Sequence, residues 1–174
     1  MRKVLYILGQ LSDSDVAWLA QAGRRVRHAP GAEVIRSGQP LDQLFIILEG
    51  ELAIRTAKGF ELARVGAGEV LGEMSLVDAR PPSATAVVSQ AAYVLAIDKS
   101  VLQAKLDGDT GFASRFYRAI AIFLSERMRT TVGRLGYGDD SAGAVEEDEL
   151  DANILDTVHL AGARFERLLQ KLMG

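Results

Sequence analysis

Between residues 24 and 98 the chain breaks its apolar runs with Gly or Pro about every 8–12 residues. The runs are RRVRHA, EVIRS, QLFIILE, ELAIRTA, FELARV, ATAVVS and AYVLAID, rich in Val, Ile and Phe. Each is too short for a stable helix and is bounded by turn residues. This spacing predicts an antiparallel sandwich, barrel or roll. The breaks are Pro30-Gly31, Gly38-Gln39-Pro40, Gly50, Lys58-Gly59 and Gly66-Ala67-Gly68. Lys58-Gly59 lies between two alternating runs and predicts a hairpin, because glycine tolerates the positive φ such turns need.

The flanks have a different period. Ser12-Asp13-Ser14-Asp15 precedes VAWLAQAG, which predicts a helix with Ser12 as N-cap, acids in the first turn and Gly23 as its stop. Asp98-Lys99-Ser100 opens a short helix through Leu106, and Asp107 to Thr110 breaks it with a fresh cap. A long helix over about 110–135 follows. Its apolar positions are Phe112, Phe116, Ile120, Phe123, Leu124, Met128, Val132 and Leu135, in steps of three or four. Arg115, Arg118, Arg127 and Arg129 are assigned to its other faces. Glu149 to Met173 predicts a last amphipathic helix with acids leading and bases closing. The chain therefore divides into an N-terminal helical segment (1–23), a β region (24–98), two helices (99–137), an acidic linker (138–149) and a C-terminal helix (150–174). The expected class is mainly β with flanking helices.

Chemistry is narrowed by what the 174 residues lack. There is no cysteine, which excludes disulfides, zinc knuckles, iron–sulfur clusters and thiol nucleophiles. His28 and His159 are read as structural, since neither stands in a base–nucleophile or metal-ligand pattern. No catalytic residue, metal site or cofactor is expected, and the chain is read as a non-enzyme. The net charge of −3 is uneven. Residues 139–151 (DDSAGAVEEDELD) hold seven acids and no base, which leaves 20 basic against 16 acidic residues elsewhere. A mildly basic body is not the strongly basic footprint of an autonomous nucleic-acid binder. The apolar run Val4–Leu8 is shorter than a secretory h-region of about 7–15 residues. No segment approaches the roughly 18 apolar residues of a membrane span. A cytoplasmic location, with no membrane and no DNA partner, is expected.

The informative stretch is Gly66 to Thr85, GAGEVLGEMSLVDARPPSAT. Gly72 lets the backbone approach something closely, and Glu73 is a carboxylate suited to sugar hydroxyls. The residues after it form one helical turn whose free N–H groups attract an anion. Ser83 and Ala84 add two backbone donors. The glycines do not fit a dinucleotide fingerprint, since the spacing is wrong and no βαβ pattern surrounds them. This segment resembles the phosphate-binding cassette of the cyclic nucleotide-binding domain family, of the catabolite-activator and protein-kinase regulatory-subunit type. Gly31, Gly38, Gly50, Gly68 and Gly72 fall where that family's turns fall, and FIILEGELAIR is similar to its central hairpin. The resemblance covers roughly residues 12–135.

It implies an eight-stranded, jelly-roll-like β-roll (a double-stranded β-helix), with B and C helices closing over the ligand. It implies that Glu73 binds the ribose 2′-hydroxyl and that Gly72 and the amides of Met74, Ser75 and Leu76 line the sugar-phosphate. Ser83 and Ala84 would contact the cyclic phosphate of cAMP or cGMP. The chain departs from the family at one place. The usual Pro-Arg is Pro81-Pro82, and Pro82 removes both a guanidinium and a backbone N–H. A charge-assisted contact is worth about 1.5–3 kcal/mol, and Arg80 is the nearest substitute.

Two functions follow. One is a non-enzymatic sensor that binds a cyclic nucleotide or similar small anion and moves its helices toward a protein partner. The other is a degenerate roll without ligand, kept as a dimerisation or protein-interaction module. The stripe on 112–135 predicts core plus a homodimer seam. Only 36 residues follow Gly138, so a two-helix DNA reader does not fit there.

Overall fold

In the computed structural model, residues 4–134 and 152–173 are described. The acidic strip at 139–151, and with it the proposed linker, lies outside them. The elements in order are α1 (Val4–Gln10), α2 (Asp13–Ala22), β1 (Arg24–His28), β2 (Glu33–Ile35), β3 (Gln43–Arg55), β4 (Glu61–Gly66) and β5 (Val70–Leu71). Then come α3 (Glu73–Val77), β6 (Thr85–Asp98), α4 (Lys99–Gly108), α5 (Thr110–Arg134) and α6 (Ala152–Met173). The chain is mainly antiparallel β with flanking helices, as expected. The strand order is β1-β6-β3-β4, with β2 also on β6 and β5 on β3, all antiparallel.

Four of the expected runs merge into two long strands. QLFIILE and ELAIR form β3, which is 13 residues long, and ATAVVS and AYVLAID form the 14-residue β6. Their pairing slips between Ile47 and Leu52, so each long strand bends in the middle and serves as two. Gly50 occupies the bend at φ +90°. A Cβ there would lie 2.4 Å from the Ala91 carbonyl oxygen, so no other residue fits. Lys58-Gly59 turns β3 into β4, with the Gly59 N–H donating to Thr56 O at 2.9 Å.

β3 lacks alternation because both of its faces are buried. Leu44, Ile46 and Leu48 face the helices, and Phe45 and Ile47 face the interior of the roll. One core lies inside the roll around Ile47, Leu52, Val88 and Val94. The second lies between the sheet and the helices, where Phe112, Phe116, Ile120 and Phe123 of α5 meet Leu8, Leu11, Leu19 and Leu168. The expected stripe on α5 is therefore mostly used within the chain. Met128 and Val132 remain open, 67% and 45% exposed.

The helix starts follow the capping residues. Ser12 and Asp15 form a capping box, and Asp109 Oδ1 accepts the Phe112 N–H at 2.9 Å. Gly23 ends α2 in extended backbone (φ −94°) rather than a left-handed cap. A Cβ there would sit 2.5 Å from Leu95 Cδ1, so packing rather than turn geometry selects glycine. α6 folds back on α1 and α2, with Ala161 and Leu168 fully buried. None of the described helices is long and apolar enough to cross a membrane.

Candidate functional site

β5 ends at Leu71, and the chain turns through Gly72 (φ +89°) into the single turn of α3. A Cβ on Gly72 would meet Gln43 O and Leu41 Cδ2, each at 2.9 Å. The close approach expected at this glycine is thus to the chain's own β3 entrance. Ala79 then takes a left-handed φ of 56°, which returns the chain toward Arg80 and the two prolines. The return is pinned: the Gly38 N–H donates to Pro82 O at 2.8 Å, and the Ser37 N–H donates to Thr85 Oγ1 at 3.1 Å.

This loop borders a cavity of about 240 Å³ between the roll, α3 and α5. Gly72, Glu73, Met74, Ser75, Arg80, Pro82, Ser83 and Ala84 all line it. Of the nine residues singled out from sequence, Leu76 alone turns elsewhere, into the helical core. Ile35, Ile54, Leu71 and Ala86 provide an apolar wall from the roll.

Glu73 dominates the electrostatics. Its side chain is only 3% exposed, and Arg127 Nη1 donates to its Oε1 at 2.6 Å. Burial pushes its carboxyl above the ordinary range, and the Arg127 guanidinium only partly offsets this. Arg127 reaches in from α5 and lies with its guanidinium 5.6 Å over the Phe123 ring. Arg80 behaves differently. Its side chain is 84% exposed, its amide donates to Asp78 Oδ1 at 3.1 Å, and its guanidinium stands 3.9 Å from Asp78 Oδ2. Lys99, at the start of α4, does not line the cavity. Its Nζ is buried with no hydrogen-bond partner among the described residues. Burial lowers its pKa, against the opposing pull of Asp42, Glu73 and Asp78.

Sequence reasoning missed Arg127 by assigning it to a face away from the apolar stripe. The signal was present. Phe116, Ile120, Phe123 and Arg127 follow one another in steps of four, three and four, so the arginine continues the buried face. A charge in that register points to a buried partner.

The comparisons with known proteins agree with this architecture. The model of the cyclic nucleotide-binding domain matches residues 25–109. A solved cyclic nucleotide-binding domain from Methylobacillus flagellatus KT is 25% identical with a TM-score of 0.70, over 78% of this chain and 83% of that one. The N-terminal domain of a transcriptional regulator from Streptomyces coelicolor A3(2) is 32% identical with a TM-score of 0.60, over 74% of this chain and 94% of that one. A cGMP-dependent protein kinase of Caenorhabditis briggsae is 34% identical over 98 residues, 55% of this chain and 13% of the kinase. The chain spans only 10% to 22% of the length of the curated relatives it matches. Residues 25–109 match the cyclic nucleotide-binding domain family, and the chain has the β-roll fold of the solved domain of that kind.

Proposed function

We propose that this chain is a non-enzymatic ligand sensor. A ribose-bearing ligand of the cyclic-nucleotide class enters the cavity, and Glu73 accepts a hydrogen bond from its ribose. α5 carries the response to a protein partner. The observation that supports this reading is the Glu73–Arg127 pair. The carboxylate best suited to hold a ribose is buried at the cavity wall and joined directly to the helix that would signal. Any ligand that competes for Glu73 changes what Arg127 holds, and so changes the position of α5. Ser83 and Ala84 are proposed to contact the remainder of the sugar, and the apolar roll wall to receive the base.

Self-association is proposed through α5, from a shorter stretch than the sequence suggested. Met128 and Val132 are its open apolar residues at the far end from Phe112. Met128→Arg should then turn a dimer into a monomer in analytical ultracentrifugation. A native monomer at tens of micromolar overturns this part.

The experiment for the sensor is calorimetric titration with cAMP, cGMP and their parent nucleosides, followed by hydrogen exchange along α5. Binding of any of them, lost in Glu73→Ala and accompanied by altered protection of residues 124–134, is the expected result. Silence across the whole panel overturns the reading and leaves the roll as an interaction module.

A further inference from the structure

The charges around the cavity are already matched to one another. Its lining contains two carboxylates, Glu73 and Asp78, and two guanidiniums, Arg80 and Arg127. Arg127 is bonded to Glu73. Arg80 points to solvent beside Asp78. Position 82 is proline, with no guanidinium and no N–H, and its carbonyl is fixed by the Gly38 N–H. The ammonium of Lys99 is not part of the lining. No buried cation of the lining is left over for an added anion.

A cyclic nucleotide brings one negative charge that it cannot lose near neutral pH. In this cavity that charge would face Glu73 and Asp78 without a buried cation of its own. The parent ribonucleoside presents the same base and ribose hydroxyls with no charge. Those hydroxyls are donors, and the Glu73 carboxylate keeps acceptor capacity beyond the single oxygen that Arg127 engages. The N–H groups of Ser83 and Ala84 are neutral donors, as fit for a 5′-hydroxyl oxygen as for a phosphate oxygen. We infer that the cavity is built for an uncharged ribonucleoside in preference to a cyclic nucleotide. This inference rests on the reading of the cavity as a ribose site.

The test is calorimetry on the full chain with matched pairs, adenosine against cAMP and guanosine against cGMP. The nucleoside of at least one pair should bind at least tenfold more tightly than its cyclic counterpart. A missing charge-assisted contact corresponds to about tenfold to a hundredfold in affinity. Pro82→Arg should recover that factor for the cyclic nucleotide and leave the nucleoside within about threefold. A smaller preference in the native chain, or the reverse order, overturns the inference while the sensor reading stands. No binding by either class overturns both. The comparison of native affinities needs no variant, so misfolding of Pro82→Arg leaves it decisive.

Discussion

Asp15 and Glu73 are both buried carboxylates, 4% and 2% exposed, and each is held by an arginine of α5. They are held in opposite ways. Asp15 receives two bonds from Arg115, at 2.7 and 2.9 Å, and a third from the Ser12 N–H at 2.7 Å. Burial alone would raise its carboxyl, but the bonds from Arg115 and Ser12 outweigh burial and hold it below the ordinary value. Glu73 receives one side-chain bond, from Arg127, and a backbone bond from its own N–H, and burial still wins. One carboxylate is over-determined and fastens α2 to α5. The other is under-satisfied, opens onto a cavity, and is strained as an anion. Under-satisfaction of a buried charge marks the place where a ligand has something to offer.

The comparison predicts opposite consequences for removing the two charges. The largest effect belongs to Asp15→Ala, which removes the N3 half of the capping box on Ser12 and a two-pronged ion pair. Arg115 is 41% exposed and can rehydrate, so the loss stays below the 3–5 kcal/mol of a fully buried pair. About 2–3 kcal/mol is expected, a drop of roughly 5–10 °C in melting temperature. An unchanged melting curve would show that the pair is not structural. Glu73→Gln should leave stability at neutral pH unchanged or up to about 1 kcal/mol higher, because it removes a buried charge that the fold holds poorly. The same variant should weaken binding of any ligand about tenfold, by replacing a charged acceptor with a neutral one. A loss of stability equal to that of Asp15→Ala would erase the distinction.

pH sharpens it further. The folded pKa of Asp15 is depressed, so its contribution is complete above the unfolded value near 3.9 and fades as pH falls through the folded value. The deficit of Asp15→Ala should therefore shrink in acid. The folded pKa of Glu73 is raised, so its ionised form costs stability once pH exceeds about 4.3, increasingly until the folded value is passed. The advantage of Glu73→Gln should be absent in acid and grow toward neutrality. Urea denaturation of the three proteins from about pH 2 to pH 8 reads both slopes, that of Asp15→Ala below about pH 4 and that of Glu73→Gln above it, and parallel slopes for the two variants would contradict the opposed shifts.

Local rules reached Asp15 more readily than Glu73. Ser12 and Asp15 announce a capping box within four residues, and the structure contains it. The β region was legible because turn residues interrupt it at strand spacing. Its merging into two bent long strands was not, because nothing local distinguishes a turn at Gly50 from a bend enforced by the Ala91 carbonyl across the sheet. The loop around Glu73 was visible as a motif, and the cavity gathers all but Leu76 of the residues drawn from it. Arg127 lies 54 positions away, so its bond to Glu73 depends on the docking of α5 rather than on any neighbour in sequence. The 22-residue α6 was visible from its period, but its seat on α1 and α2 is a tertiary fact.

That seat supplies the smallest predicted effect and extends the comparison to a third carboxylate. Asp13, two residues before Asp15, accepts from Arg164 Nε on Oδ1 and from Arg167 Nη1 on Oδ2, both at 2.8 Å. Arg164 also donates to the carbonyls of Leu8 and Gly9 at 3.1 and 3.2 Å, closing the end of α1. Hydrogen bonds from Arg164 and then Arg167 hold the Asp13 carboxyl below its ordinary value, but the group stands in solvent, where such pairs contribute little. α6 is held chiefly by Ala161 and Leu168, which are fully buried. Asp13→Ala should therefore leave the global melting temperature nearly unchanged, and hydrogen exchange should quicken within α6 alone. Salt should mimic the substitution in part, because Asp13 and Arg167 are exposed and their interaction is screened at a Debye length of about 8 Å near physiological ionic strength. A global loss as large as that of Asp15→Ala would mean that α6 docks through this charge cluster and not through its apolar face.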